Sequence, residues 1–340
     1  NTYGRRVGLV AGYLACLLGS LLCVFAGAES SLILLTVGMV FVGAGLAATW
    51  QARFAAIDLA DERYRGRAVS VVMWATAAGA AAGPAVAGPA GAVAEMLGLP
   101  RLTGGFLVAA LGALAAAIWV ALGMRTDPLL LARQFNPTRS PSPRQHRSAL
   151  AVVRAHPQAA YGILAIASAH AAMLAVMVIA PLQMERDHNG LEMIGAVIGL
   201  HIAGMYALSP LVGWCTDRAG PRVVTLTGAV MMLTGVVTIW ASPPLLALFA
   251  TGLFLIGLGW SCVMIGTSTA ITTALPLDER PAVQGLSDLV MGGVGGVAGA
   301  VAGVVVGRWG FQPLSIAEAT TLGITVLAAL AIQRRNTHFS

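Results

Sequence analysis

At 340 residues the chain is 57% hydrophobic and only 10% charged, with a mean hydropathy of +0.81. A soluble domain of this size carries about a quarter charged residues, so the composition excludes an aqueous globular protein and leaves an all-α, polytopic integral membrane protein. The net charge of +6 arises without any lysine, and all 20 basic residues are arginines in short loops rather than on one face. That distribution is a topology signal and argues against nucleic acid as a partner.

In chain order, ten apolar segments are predicted to span the bilayer, at about 7–27, 32–54, 68–92, 104–124, 158–182, 192–214, 223–241, 244–273, 284–307 and 312–333. About 20 apolar residues suffice for a crossing. The loops are short except at 125–157, where Asn136-Pro137-Thr138-Arg139-Ser140-Pro141-Ser142-Pro143-Arg144 reads as a polar linker that cannot bury apolar area. This divides the chain into helices within 1–124, a cytoplasmic linker at 125–157, and a six-helix bundle at 158–340. With the linker inside and alternating crossings, seventeen of the twenty arginines fall on the cytoplasmic side, which places both termini inside. Arg5 and Arg6 lead straight into a long span, so no cleavable leader is expected. The Ala-, Gly- and Arg-rich composition suggests a multi-pass protein of a bacterial plasma membrane. Cys16, Cys23, Cys215 and Cys262 have no CxxC spacing and predict neither a metal nor a disulfide framework. No cofactor motif is present.

The two halves repeat one another. Asn1-Thr2-Tyr3-Gly4-Arg5-Arg6-Val7 aligns with Asp217-Arg218-Ala219-Gly220-Pro221-Arg222-Val223, pairing Gly4 with Gly220, Arg6 with Arg222 and, further on, Gly12 with Gly228. Asp61-Glu62-Arg63 and Asp278-Glu279-Arg280 each precede a glycine-rich helix. Equivalent loops at equivalent places argue for a duplication.

The stretch Gly213-Trp214-Cys215-Thr216-Asp217-Arg218-Ala219-Gly220-Pro221-Arg222 is a polar elbow between two apolar runs. Gly213 allows close helix approach and Gly220 a positive φ. Asp217 can accept from helix-end amides or pair with an arginine. The spacing Gly-x-x-x-Asp-Arg-x-Gly-x-Arg resembles the loop signature of the major facilitator superfamily of secondary transporters, found between helices two and three and, more weakly, between eight and nine. A second resemblance lies in Trp74 to Gly91. Gly79, Gly83, Pro84 and Gly88 are similar to the helix-five pattern of proton-linked exporters in that family, with Gly88 one residue late. Gly79 and Gly83 predict a close helix contact, and Pro84 and Pro89 favour a bend. In helix four, Met39 stands where the family carries an arginine linked to proton movement.

The resemblance implies two six-helix bundles that rock about a central site, with the elbow as a gate lock that pairs and releases its aspartate and arginines. It also implies that two helices precede the first residue, so that the chain holds four helices before the linker and six after. The implied function is proton-coupled export of drugs or metabolites, with a small molecule, protons and the lipid bilayer as partners. Solute uptake is a rival within transport, and a transport-inactive membrane protein a rival outside it. An enzyme would need a catalytic cluster such as HExxH or GxSxG, and none is present.

Ionisable residues within spans are costly and therefore candidates for proton or substrate handling. They are His170, His201, Asp288 and Glu318, with Glu192 and Asp58 near span ends. Each has a plainer alternative, a hydrogen-bonded residue on a packing face. Thr267, Ser268, Thr269, Thr272 and Thr273 form a polar stripe that either lines a watery path or satisfies itself on helix carbonyls.

Overall fold

Long runs of Leu, Ala, Val and Gly in an apolar surrounding leave the backbone no hydrogen-bond partner but itself, and helices satisfy every amide internally. The computed structural model describes residues 4–135, 148–241 and 245–337, and every regular element among them is helical. In order these are α1 (Gly4–Ala28), α2 (Leu32–Ile57), α3 (Arg65–Met96), α4 (Gly104–Gly123), α5 (Pro128–Phe135), α6 (Ala149–Ala155), α7 (Pro157–Arg186), α8 (Leu191–Tyr206), α9 (Ser209–Ala219), α10 (Pro221–Trp240), α11 (Leu246–Ala274), α12 (Arg280–Trp309) and α13 (Phe311–Thr337). Eight stretches among the described residues are long and apolar enough to cross a membrane, and Pro313–Leu327 is a shorter apolar one. The helix carrying the Gly/Ala/Pro-rich stretch, α3, is not among the eight, yet it continues unbroken through Pro84 and Pro89.

The chain divides into two compact units, Asn1–Leu59 with Ala78–Ser140 and Ala60–Ala77 with Pro141–Ser340. Residues 60–77, which the sequence assigns to the first half, therefore group with the second, and α3 begins in one unit and ends in the other.

Each unit is closed by a glycine seam. A β-carbon on Gly228 would lie 2.5 Å from the carbonyl oxygen of Gly259, and one on Gly235 would lie 2.6 Å from that of Gly252, so α10 and α11 meet backbone to backbone. In the first unit Gly19 and Gly38 make the same contact between α1 and α2, at 2.6 and 2.8 Å. With no hydrophobic drive between helices in lipid, such close approach supplies the van der Waals and carbonyl contacts that hold them. Replacing Gly259 with leucine is expected to separate α10 from α11 and cost about 1–3 kcal/mol, read as a lower unfolding temperature in detergent. The same change at Gly285, where no described atom lies within 4 Å, should be neutral.

Two local features depart from the sequence reading. The 192–214 segment is broken into α8 and α9. Pro210 lacks the amide that would bond the Tyr206 carbonyl, and Ser209 Oγ takes that carbonyl instead at 2.6 Å. The ends of the 125–157 linker are helical rather than structureless. Asp127 Oδ1 accepts from the Leu129 and Leu130 amides at 3.0 and 3.2 Å and starts α5, whose Leu129 is fully buried. Ser148 Oγ accepts from the Ala151 amide and starts α6. The Asn136–Arg144 stretch lies outside the described residues, as does Asn1.

Candidate functional site

The elbow is built by a helix end and a positive φ. Helix α9 closes at Ala219, Gly220 turns the chain at φ 91°, and Pro221 opens α10 with a pre-set backbone. In the first unit Gly4 has φ 80° at the start of α1, so both aligned glycines take a positive φ.

Asp217 points from the last turn of α9 at the first turn of α3. Its Oδ1 accepts from the Gly66 amide at 2.6 Å and its Oδ2 from the Arg67 amide at 3.2 Å. The Arg67 Nε lies 3.6 Å from Oδ2; the aspartate side chain is 6% exposed and the arginine 48%. A carboxylate against unsatisfied helix-start amides is favoured by both hydrogen bonding and the helix dipole. Only glycines permit the approach. A β-carbon on Gly66 would sit 2.6 Å from the Gly213 carbonyl oxygen, and one on Gly213 would collide with Ser70 Oγ. Ser209 Oγ adds a bond to the Ser70 carbonyl at 3.2 Å. Arg65 reaches Thr273 Oγ1 on α11 at 3.4 Å and Glu62 at 3.2 Å. Five residues of α9 and α3 thus form one joint: Gly66, Arg67, Ser70, Gly213 and Asp217.

The other elbow residues do less than the sequence suggested. Arg218 lies over the Trp214 ring at 5.5 Å. Arg222 makes no ion pair or hydrogen bond among the described residues and instead lines a cleft between α7, α10 and α11. In the first copy, Arg6 is held through its backbone: its amide donates to Asp127 Oδ2 at 2.7 Å, while its guanidinium reaches the Ala121 carbonyl.

The intramembrane candidates are all buried. His170 Nδ1 accepts from Trp260 Nε1 at 3.2 Å, and Tyr206 meets the same indole edge-on, with centroids 5.9 Å apart. His201 Nδ1 donates to the Leu253 carbonyl at 2.7 Å, while its Nε2 is buried without a partner. Both histidines therefore bracket α11, one from α7 and one from α8. Glu318 on α13 is 6% exposed, and neither carboxylate oxygen has a hydrogen-bond partner among the described residues. Asp288 is buried on α12, four residues after Gln284, whose amide donates to Thr272 Oγ1 at 3.2 Å. The threonine stripe is mixed. Thr272 and Thr273 bond carbonyls four residues back, whereas the Thr267 and Thr269 hydroxyls are buried without partners.

No described atom lies within 4 Å of a β-carbon placed on Gly79, Gly83 or Gly88. The close helix contact predicted at Gly79 and Gly83 does not form among the described residues. Pro84 lies in the same helix.

Sequence reasoning missed two buried arginine sites. Arg5 Nε and Nη2 clasp Asp58 at 2.8 and 3.4 Å, and Nη1 bonds Gln51 at 3.1 Å. Arg53, 1% exposed, donates to the Trp50 carbonyl and stacks on Phe54 at 4.4 Å. In the sequence both arginines mark topology only, and the acidic residue near a span end, Asp58, is the signal that points to a buried partner for Arg5.

The sequence model of the Major Facilitator Superfamily matches residues 1–300 and, in a second register, 162–338. The chain belongs to the major facilitator superfamily. An uncharacterized MFS-type transporter of Bacillus subtilis (strain 168), YdeG, is 32% identical over 316 residues, covering 92% of this chain and 74% of that protein. The riboflavin transporter RfnT of Brucella anthropi is 26% identical over 329 residues, covering 92% and 76%. Among solved structures, the E. coli fucose:proton symporter FucP superposes with a TM-score of 0.72 at 14% identity, covering 96% of this chain and 83% of that one. At that identity the likeness concerns the fold alone. The protein is thus a multi-pass membrane transporter of this superfamily.

Proposed function

We propose that the chain is a proton-coupled secondary exporter of small organic molecules, working by alternating access. In this reading it crosses the membrane ten times, with α8 and α9 forming one crossing and both termini in the cytoplasm. The observation that carries the coupling is Glu318, a buried carboxylate with two unpartnered oxygens. An isolated ionised carboxylate in an apolar bundle is strongly disfavoured, so such a group binds a proton when closed off and releases it when wetted. The joint of Asp217 with Gly66 and Arg67 supplies the gate. It ties α9 to the start of α3, a helix shared between the two units, and its release would free α3. The exporter direction rests on the Gly79, Gly83, Pro84, Gly88 resemblance. His170 with Trp260 and Tyr206, and His201 with its free Nε2, form the proposed substrate and proton surroundings of α11, with Asp288 on α12 alongside.

Uptake is the second reading. Among the described residues Gly79, Gly83 and Gly88 meet no neighbouring helix, which leaves the exporter resemblance without a contact of its own.

The test is gradient-driven flux in proteoliposomes, with riboflavin and a cationic dye as fluorescent cargo. An inverted pH gradient should reverse the direction of flux. Glu318→Gln should lower gradient-driven accumulation by roughly tenfold or more while leaving substrate exchange without a gradient intact. Equal loss of both would remove Glu318 from proton coupling. Accumulation that follows the proton inflow, rather than opposing it, would replace export with uptake.

A further inference from the structure

The free Arg222 lines a cleft that the transport reading does not use. It encloses about 210 Å³ between the first turns of α7 and α10 and the last turns of α11. We infer that this cleft binds an organic phosphate ester.

Four observations converge on an anionic head. Among the described residues Arg222 has no counterion and no acidic side chain lines the cleft. Helices α7 and α10 both start there, at Pro157 and Pro221, and neither start is capped by a side chain. Two helix N-termini add positive partial charge and amide donors. The Thr267 hydroxyl, on a residue only 1% exposed, lines the cleft without a partner. The Tyr161 hydroxyl is likewise buried and unpartnered on the same wall. A buried hydroxyl left unpaired is unfavourable, and both would be satisfied by donating to phosphate oxygens. Leu226, Ala270 and Ala274 add an apolar stretch of wall that suits the carbon stem of an ester better than a bare inorganic ion.

The chemistry fits either a lipid headgroup or a soluble organic phosphate, and the experiment separates them. The full-length protein would be purified and placed in nanodiscs of phosphatidylcholine with or without phosphatidylglycerol. Native mass spectrometry would count retained phosphatidylglycerol, and thermal shift in neutral discs would report glycerol 3-phosphate. Three variants would be compared. Arg222→Gln and Thr267→Val alter the cleft, and Arg218→Gln removes another exposed arginine, which lies over Trp214 instead. Retention of phosphatidylglycerol that falls about ten- to a hundredfold in R222Q, falls in T267V, and persists in R218Q supports a lipid site. A saturable shift with glycerol 3-phosphate, lost in R222Q, supports a soluble phosphate. Binding of neither molecule, or binding unchanged in R222Q and T267V, overturns the inference. T267V keeps the shape of the side chain, so loss there with an unchanged melting temperature cannot be ascribed to misfolding.

Discussion

Asp217→Ala should lower transport by roughly tenfold or more while the protein stays folded. The carboxylate accepts two backbone amides of α3 and faces Arg67. Hydrogen bonds to a charged group contribute about 1.5–3 kcal/mol each, and the half-exposed Arg67 adds little beyond them. Removing the carboxylate then weakens the latched arrangement by roughly 3–6 kcal/mol, a population change of about a hundredfold or more. Asp217→Asn retains one acceptor oxygen and should fall between. A cysteine in place of Ser70, buried under Gly213, offers a direct reading in a background lacking the native cysteines. Its alkylation should be slow in the parent and fast in the Asp217→Ala protein. Unchanged labelling together with unchanged transport would show that the joint is static scaffolding.

Asp58→Ala should be among the most destabilising single changes in the first unit, at about 3–5 kcal/mol. Its side chain is completely buried and that of Arg5 is 4% exposed. Deleting the acid leaves a buried guanidinium, still bonded to Gln51, without the carboxylate opposite it, and losing one partner of a buried ion pair costs far more than the pair contributed. The measure is the unfolding temperature in detergent, compared with the double variant Arg5→Met, Asp58→Leu. The double variant should recover most of the loss, because apolar groups of similar volume need no counter-charge. Failure of the double variant to recover would mean that the pair specifies helix register rather than merely neutralising itself.

Much of the site was legible in the residues. The Gly-x-x-x-Asp spacing marked Gly213 and Asp217 as a contact face and an acceptor, because a residue without a β-carbon and a short carboxylate one turn apart have few other uses at a helix end. Their partner was not legible. Gly66 lies 151 residues away from Asp217, and nothing in a local pattern says which helix start meets which aspartate. The same limit applies to Arg222 and Arg6. Their aligned positions predicted equal roles, yet Arg6 finds the Ala121 carbonyl while Arg222 faces a cleft. The difference comes from neighbours rather than from the motif.

Taken by itself, the sequence determined that the chain is helical and membrane-bound, that it is duplicated, and that it carries this superfamily's loop signature. Those properties follow from local quantities: apolar length, glycine and proline spacing, and the repetition of both. Only the tertiary structure decided which buried groups found partners. It joined Asp217 to α3, clasped Arg5 to Asp58, set Trp260 against His170, and left Glu318 and Thr267 unpaired. Pairing in a helical bundle depends on which faces meet across many tens of residues, and a helix records its face in the sequence but not the identity of its neighbour.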